Sequence, residues 1–263
     1  MANMLTTGMH GILAQNEKMS WIANNVANTK SPGYHSREAF LSELGRCSDG
    51  AGQQSQGAKT QELDVNWDAG SLKQTEKATH MGIQGEGMFP VVESGQTFYT
   101  RAGDFSFNKS SGDNGYVLSR PSGETLADSN GQQITFSNVP SNFRIGTDGT
   151  FQGLDNSTQS SAPGVKLQLF ANPGTLNPIG NGLYAPSTET VNHQGGTVQN
   201  TPATPVSPGN AGSGIIKQGT LEQSNVDMIK EFTDMIKTQR IYQANSKSIT
   251  TANDMLKKAI QNL

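Results

Sequence analysis

The sequence predicts an α+β protein whose long N- and C-terminal helices pack as a coiled-coil-like domain, with a central antiparallel β-rich domain between them. Three observations carry this expectation. Apolar residues recur at steps of three and four at both ends of the chain, no Pro or Gly interrupts the last forty residues or so, and the middle alternates short β-rich runs with turn residues.

At the N-terminus, Leu5, Met9, Ile12, Asn16, Met19, Ala23 and Val26 follow one another in alternating steps of four and three, the spacing of a heptad seam. The pattern ends in Asn28-Thr29-Lys30-Ser31-Pro32-Gly33, where Pro32 biases Ser31 away from helical backbone and Gly33 tolerates positive φ. At the C-terminus, Met228, Phe232, Met235, Gln239, Tyr242, Ser246, Ile249, Asn253, Leu256, Ile260 and Leu263 keep the same spacing. Ser224 followed by Asp227 reads as its N-terminal cap, and an unbroken helix from there spans about 60 Å at about 1.5 Å per residue. Asn16 and Ala23 in the first seam and Gln239, Ser246 and Asn253 in the second are small or polar, which suits packing against several partners in one register better than a simple apolar dimer.

Between the helices, Phe89-Pro90-Val91-Val92, Thr97-Phe98-Tyr99-Thr100, Phe105-Ser106-Phe107, Tyr116-Val117-Leu118, Ile134-Thr135-Phe136 and the run from Val165 to Phe170 read as strands. Ser94-Gly95, Asp113-Asn114-Gly115, Asn130-Gly131 and Asp148-Gly149 read as their turns, Gly85-Glu86-Gly87 as a hairpin turn, and Pro90 as an edge or bulge residue. Residues 45–57 and 192–214 are rich in Gly, Gln, Ser or Pro and read as connectors with too few apolar side chains to pack on their own. The expected organisation is thus 1–34 with 217–263 as a helical assembly domain, 35–77 as a connecting segment, 78–191 as the β-rich outer domain and 192–216 as a return linker.

Composition narrows the function. A net charge of -3 supplies no basic field for a phosphate backbone, so no nucleic-acid partner is expected. Asn3, Thr6, Thr7, His10, Gln15, Asn16, Glu17 and Lys18 break up the first 26 residues, so neither membrane insertion nor a cleaved signal peptide is expected. The lone Cys47 and the scattered His10, His35, His80 and His193 have no metal-ligand spacing, and no nucleophile elbow or phosphate loop occurs; the expectation is no enzyme, no cofactor and no metal. Asn24, Asn25 and Asn28 admit two readings, as caps at a fraying helix end or as amides that bond across subunits.

The termini carry a resemblance. Ile22-Ala23-Asn24-Asn25-Val26-Ala27-Asn28 followed by Ser31-Pro32-Gly33-Tyr34 resembles the opening signature of flagellar basal-body rod, hook and related axial proteins. Leu221-Glu222-Gln223-Ser224-Asn225-Val226-Asp227 and the run from Gln239 to Lys247 resemble their C-terminal signature, and Gly70-Ser71-Leu72, the run from Ile83 to Gly87 and Tyr99-Thr100-Arg101-Ala102-Gly103 resemble their central region. The resemblance implies a structural subunit of the flagellar rod that polymerises helically into a hollow axial tube, transmitting torque and passing exported subunits. Its implied partners are further copies of itself, other axial proteins and the flagellar export apparatus, and its implied place is the basal body. A hook protein of the same family is the alternative, and a surface binding module on a helical stalk is the alternative of another class. The expected assembly interface comprises Leu5, Met9, Ile12, Met19, Asn24, Asn25, Val26, Asn28, Ser224, Asn225, Val226, Phe232, Met235, Gln239, Tyr242, Asn245, Ile249 and Leu256. Rod position, helical symmetry and curvature stay open.

Overall fold

The structure is a computed structural model and describes residues 2–43, 47–49, 52–54, 58–110, 115–128, 131–140, 142–153, 164–186, 191–193, 196–198, 205–210 and 212–261. The chain divides into two units, one of Met1–Thr29, Ser36–Asn66 and Val226–Leu263, the other of Lys30–His35 and Trp67–Asn225. It therefore passes between them four times, after Thr29, His35, Asn66 and Asn225.

The first unit contains α1 (Ala2–Ala27), α2 (Met228–Gln261) and an antiparallel strand pair, Arg37–Glu43 with Ala58–Val65. A bulge between Phe40 and Leu41 shifts the register of the pair. Helix α1 contacts both α2 and the two strands, so its buried sides serve two different neighbours. Antiparallel pairing of the helices follows from three contacts: Gly8 lies against Ile249, Gly11 against Asn245, and the Asn25 amide against Glu231. A Cβ at Gly8 would stand 2.8 Å from Ile249 Cγ1, and one at Gly11 would stand 2.7 Å from Asn245 Nδ2. These glycines let the helix axes approach closely, at the cost of a weaker local helix propensity.

This corrects the coiled-coil-like domain expected of the termini. A continuous heptad seam would bury Met9, Asn16 and Ala23, yet all three are exposed, while Ala14, Gln15, Ile22 and Asn25 are buried. On α2, Phe232, Gln239 and Asn253 are exposed, and Glu231, Thr238 and Ala252, each one residue earlier, are buried instead. Only Met235, Ser246, Ile249 and Leu256 of the expected line are half-buried. The contact face is rotated by about one residue, because glycine and small polar residues allow a closer helix contact than a row of large apolar knobs, and because a strand pair occupies α1's other side. Leu263 lies outside the described residues.

The start of α2 is corrected too. Asp227 is the cap, accepting from the backbone N–H of Ile229 at 2.9 Å and of Lys230 at 3.3 Å, so the helix begins three residues later than a Ser224 cap would place it. A carboxylate here also meets the positive end of the helix dipole.

The second unit is built on an eight-stranded sheet whose pairs are all antiparallel. Its order is Thr135–Phe136, Tyr116–Ser119, Thr125–Leu126, Phe89–Glu93, Gln96–Thr100, Leu183–Ala185 and Asn177–Gly180, with Ser106–Lys109 also beside Tyr116–Ser119. Ser94-Gly95 closes a two-residue hairpin with φ of 52° and 82°, the positive values that match strand twist. Phe89, Val91, Phe105, Leu118, Leu126 and Ile134 are fully buried in one apolar core, extended by edge-to-face contacts among Phe107, Phe136 and Phe143. Aromatic pairs of this kind contribute about 0.5–1.5 kcal/mol beyond their buried area.

Two sequence expectations fail here for local reasons. Gly85-Glu86-Gly87 is not a hairpin turn; Met81–Gln84 pairs with Ile215–Gln218, and Phe89–Glu93 pairs elsewhere, so the glycines, at φ of 116° and 126°, carry the chain between two sheets. Pro90 lies in a strand with neighbours on both sides, not at an edge, and its carbonyl accepts from the Ala127 N–H. The stretches read as connectors hold short strand pairs, Cys47–Asp49 with Gly52–Gln54 and Val191–His193 with Gly196–Val198, with the residues around them partly outside the described set.

Candidate assembly surface

Asn25 is the most constrained of the polar residues expected at the interface. It is 2% exposed, and its amide bonds in three directions: Nδ2 donates to the Arg37 carbonyl at 2.8 Å and to Glu231 Oε1 at 3.0 Å, while Oδ1 accepts from the Arg37 N–H at 3.0 Å. The side chain thus ties α1 to the strand Arg37–Glu43 and to α2 within one chain. Asn28 is a cap, with Nδ2 donating to the Asn24 carbonyl at 2.9 Å, and Asn24 itself is exposed. Burial raises the Glu231 carboxyl above its ordinary range, against the opposing pull of the Asn25 amide and Lys230.

The other expected residues divide by exposure. Met9, Phe232, Gln239 and Tyr242 are exposed; Ile12, Met19, Val26, Ser224, Asn225, Val226, Met235, Asn245, Ile249 and Leu256 are half-buried; the side chain of Leu5 lies outside the described residues. Asn225 bonds within the second unit, its N–H to the Tyr34 carbonyl and its Nδ2 to the Asp68 carbonyl.

The two helices carry apolar side chains on the sides turned away from each other. On α2, Met228, Ile229, Phe232 and Ile236 recur at steps of one, three and four, so they form one stripe over the first turns, and all four are exposed. Ile229 is the extreme case at 79%. On α1, Met9 and Leu13 stand one turn apart, both exposed, and opposite the side where Gly8 and Gly11 meet α2. Sequence counting missed Leu13, Ile229 and Ile236 because only one seam per helix was sought; a second apolar stripe at the same period was the available signal.

A second site of buried polar groups joins five of the motifs that carry the family resemblance. Arg101 Nη1 lies 3.6 Å from Glu222 Oε2 and donates to the Gly85 carbonyl at 2.8 Å, and His35 Nε2 lies 3.6 Å from Glu222 Oε1. Glu222 Oε1 also accepts from the Gly70 N–H at 3.0 Å. Gly33 donates its N–H to the Glu222 carbonyl and packs so closely on Ala102 that a Cβ there would overlap its backbone. Burial pulls the Arg101 guanidinium down and pushes the Glu222 carboxyl up, and each charge opposes the shift of the other. The pair therefore survives by mutual neutralisation in a dry setting.

Among the described residues no helix is long and apolar enough to cross a membrane, and no group of three or more His, Cys, Asp and Glu side chains is placed to hold a metal ion.

Exposed apolar stripes on the terminal helices, and a β unit with an apolar core of its own, are features of the class of structural subunits. Family models agree with that class: residues 217–262 match the flagellar basal body rod FlgEFG protein C-terminal, and residues 82–153 match the flagellar hook protein FlgE/F/G D1 domain. The chain is 30% identical to the flagellar basal-body rod protein FlgG of Bacillus subtilis, covering 99% of this chain and 98% of that protein. It is 31% identical to the FlgG rod protein of Caulobacter vibrioides, covering 98% of each chain. The flagellar hook protein FlgE of Borreliella burgdorferi matches at 36% over 46% of this chain and 25% of its own length. The chain belongs to the family of flagellar basal-body rod proteins.

Proposed function

We infer that the chain is a structural subunit of the bacterial flagellar rod, placed in the basal body, where copies of it polymerise helically and join other axial proteins. The observation that carries the reading is the exposed apolar stripe of Met228, Ile229, Phe232 and Ile236, together with Met9 and Leu13, on the terminal helices of a rod-family chain. Burying an exposed Phe or Ile stabilises by about 1.5–3 kcal/mol per side chain, so a handful of them repeated around a helix of subunits supplies a cohesive axis. Half-buried Ile12, Met19, Val26 and Leu256 and exposed Gln239 and Tyr242 then contribute edges of the same contact, while Asn25 keeps each subunit's own helices together. Delivery by the flagellar export apparatus, without a cleaved leader, and conduction of later subunits through the tube belong to the same reading.

The test is a double substitution, Ile229→Asp with Phe232→Asp. Monomer stability should change by less than about 0.5 kcal/mol, since both side chains are exposed, while rods in purified basal bodies and swimming in soft agar should be lost. Normal swimming by the double variant would remove the stripe from the interface. The hook alternative rests on the partial match to a hook protein, and it predicts the chain in sheared hook filaments instead of in basal bodies stripped of hooks.

A further inference from the structure

Helices α1 and α2 are 26 and 34 residues of a 263-residue chain, yet they carry six of its nine methionines: Met4, Met9, Met19, Met228, Met235 and Met255. Two others, Met81 and Met88, lie in the β unit at 0% and 4% exposure, packed into its apolar clusters. The helix methionines are open instead: Met9 is 51% exposed, Met228 44% and Met255 55%, while Met19 and Met235 are half-buried.

The three open side chains belong to the apolar surface of the helices. Met9 stands one turn from exposed Leu13 on α1, and Met228 stands beside Ile229 and one turn from Phe232 on α2. Met255 lies two heptads beyond exposed Ile241, on nearly the same side of α2. Leu, Ile and Phe at such positions are chemically inert. The thioether of Met is a soft nucleophile, and its oxidation turns a flexible apolar side chain into a polar one. These are therefore the positions at which an apolar stripe can change polarity without a change of sequence.

We propose that Met9, Met228 and Met255 are sulfoxidation sites, at which a hydroperoxide converts an unassembled subunit into a form whose helix stripes no longer cohere. The loss of cohesion rests on the polymerising role proposed above, whereas the choice of sites does not. In the step, a sulfur lone pair attacks one peroxide oxygen, and the S–O bond forms as the O–O bond breaks. The departing oxygen takes the proton of the transferred one and leaves as an alcohol or, from hydrogen peroxide, as water. Sulfur loses two electrons and the peroxide gains them. The new S=O group accepts hydrogen bonds from water, so a stripe that carries it forfeits the gain from burying that side chain against a neighbouring copy. Sulfurs already covered in a polymer are shielded, so the modification falls on subunits not yet incorporated.

The test treats dispersed protein with hydrogen peroxide and follows each methionine by peptide mass mapping. Met9, Met228 and Met255 should each gain one oxygen atom at least about tenfold faster than Met81 and Met88, the ratio set by 44% against 4% exposure. Treated subunits should need an at least about tenfold higher concentration to polymerise, the equivalent of losing one buried methionine per contact. That loss should track the sulfoxide content of the three sites through the time course, and methionine sulfoxide reductases, one enzyme for each sulfoxide epimer, should reverse it. Oxidation of the three no faster than that of Met81 and Met88 would overturn the sites, as would a loss that follows Met4, Met19 or Met235 instead. Unchanged polymerisation after full oxidation of the three, or a loss that persists once the sulfoxides are reduced, would overturn their effect on cohesion. If untreated subunits do not polymerise, the rod reading falls and the effect on cohesion with it, while the peptide map still decides the sites.

Discussion

The two units of the chain treat apolar surface in opposite ways. The β unit folds Phe89, Phe105, Leu118 and Leu126 entirely inside itself, whereas the helical unit leaves Met9, Leu13, Ile229, Phe232 and Ile236 in solvent. Monomeric proteins rarely leave contiguous apolar stripes uncovered without a partner to cover them. The contrast teaches that one unit buries its apolar residues within a single chain while the other leaves surface for a partner to cover.

The sharpest attack on that contrast is made in the β unit. Glu222→Ala strands the buried Arg101 guanidinium, and breaking such a pair from one side costs about 3–5 kcal/mol. The urea midpoint followed by tyrosine and tryptophan emission should fall accordingly. A change below 1 kcal/mol by the same measure, on the scale of an ordinary surface substitution, would show that water reaches the pair and that the unit is less self-sufficient than its core suggests.

Within the helical unit, Asn25→Ala should cost about 1–3 kcal/mol, because the backbone groups of Arg37 and the Glu231 carboxylate lose their partner together. The neighbouring Asn24→Ala, at an exposed site, should stay within about 0.5 kcal/mol. Thermal melts followed by helix circular dichroism distinguish the two, and equal effects would mean that the Asn25 clamp is not formed before assembly.

The smallest expected effect is a pH dependence. Because burial holds the folded Glu231 carboxyl above the ordinary value of 4.5, the folded unit binds its proton more tightly than the unfolded chain. The contribution of this group to stability therefore declines as pH rises from 4.5 through the raised folded value, and is most favourable below that window. Glu231→Gln keeps a carbonyl for the Asn25 amide and should flatten the decline in the helix melting temperature. An unchanged slope in the variant would assign the dependence to other groups, Glu222 first among them, since its carboxyl is shifted in the same direction.

Both helices and much of the β region were legible in the sequence because period and turn chemistry are local. Ser94-Gly95 announces its hairpin, and the Pro32-Gly33 stop follows closely on the end of α1 at Ala27. What failed was whatever depended on contacts far along the chain. Gly8 and Gly11 count as neutral in any apolar tally, yet they set the closest approach of the helix pair and so decide which face is buried. Arg101 and Glu222 looked like ordinary charges, since nothing local reveals that two residues so far apart in the chain come to 3.6 Å in a dry interior. Asp227 displaced Ser224 as the cap although both residue types are good at it, because the Ser224 neighbour Asn225 is committed to Tyr34 and Asp68 and keeps the chain extended.

The four passages of the chain between the units bear on mechanics. Next to them, short bonds gather the backbone: Asn66 to Ser36 on one side, and Asn225 to Tyr34 and Asp68 on the other. A part that turns under load with a single tether would concentrate the whole stress on one peptide segment. Here four covalent passages join the units, so cutting any one of them leaves the two still tethered by three.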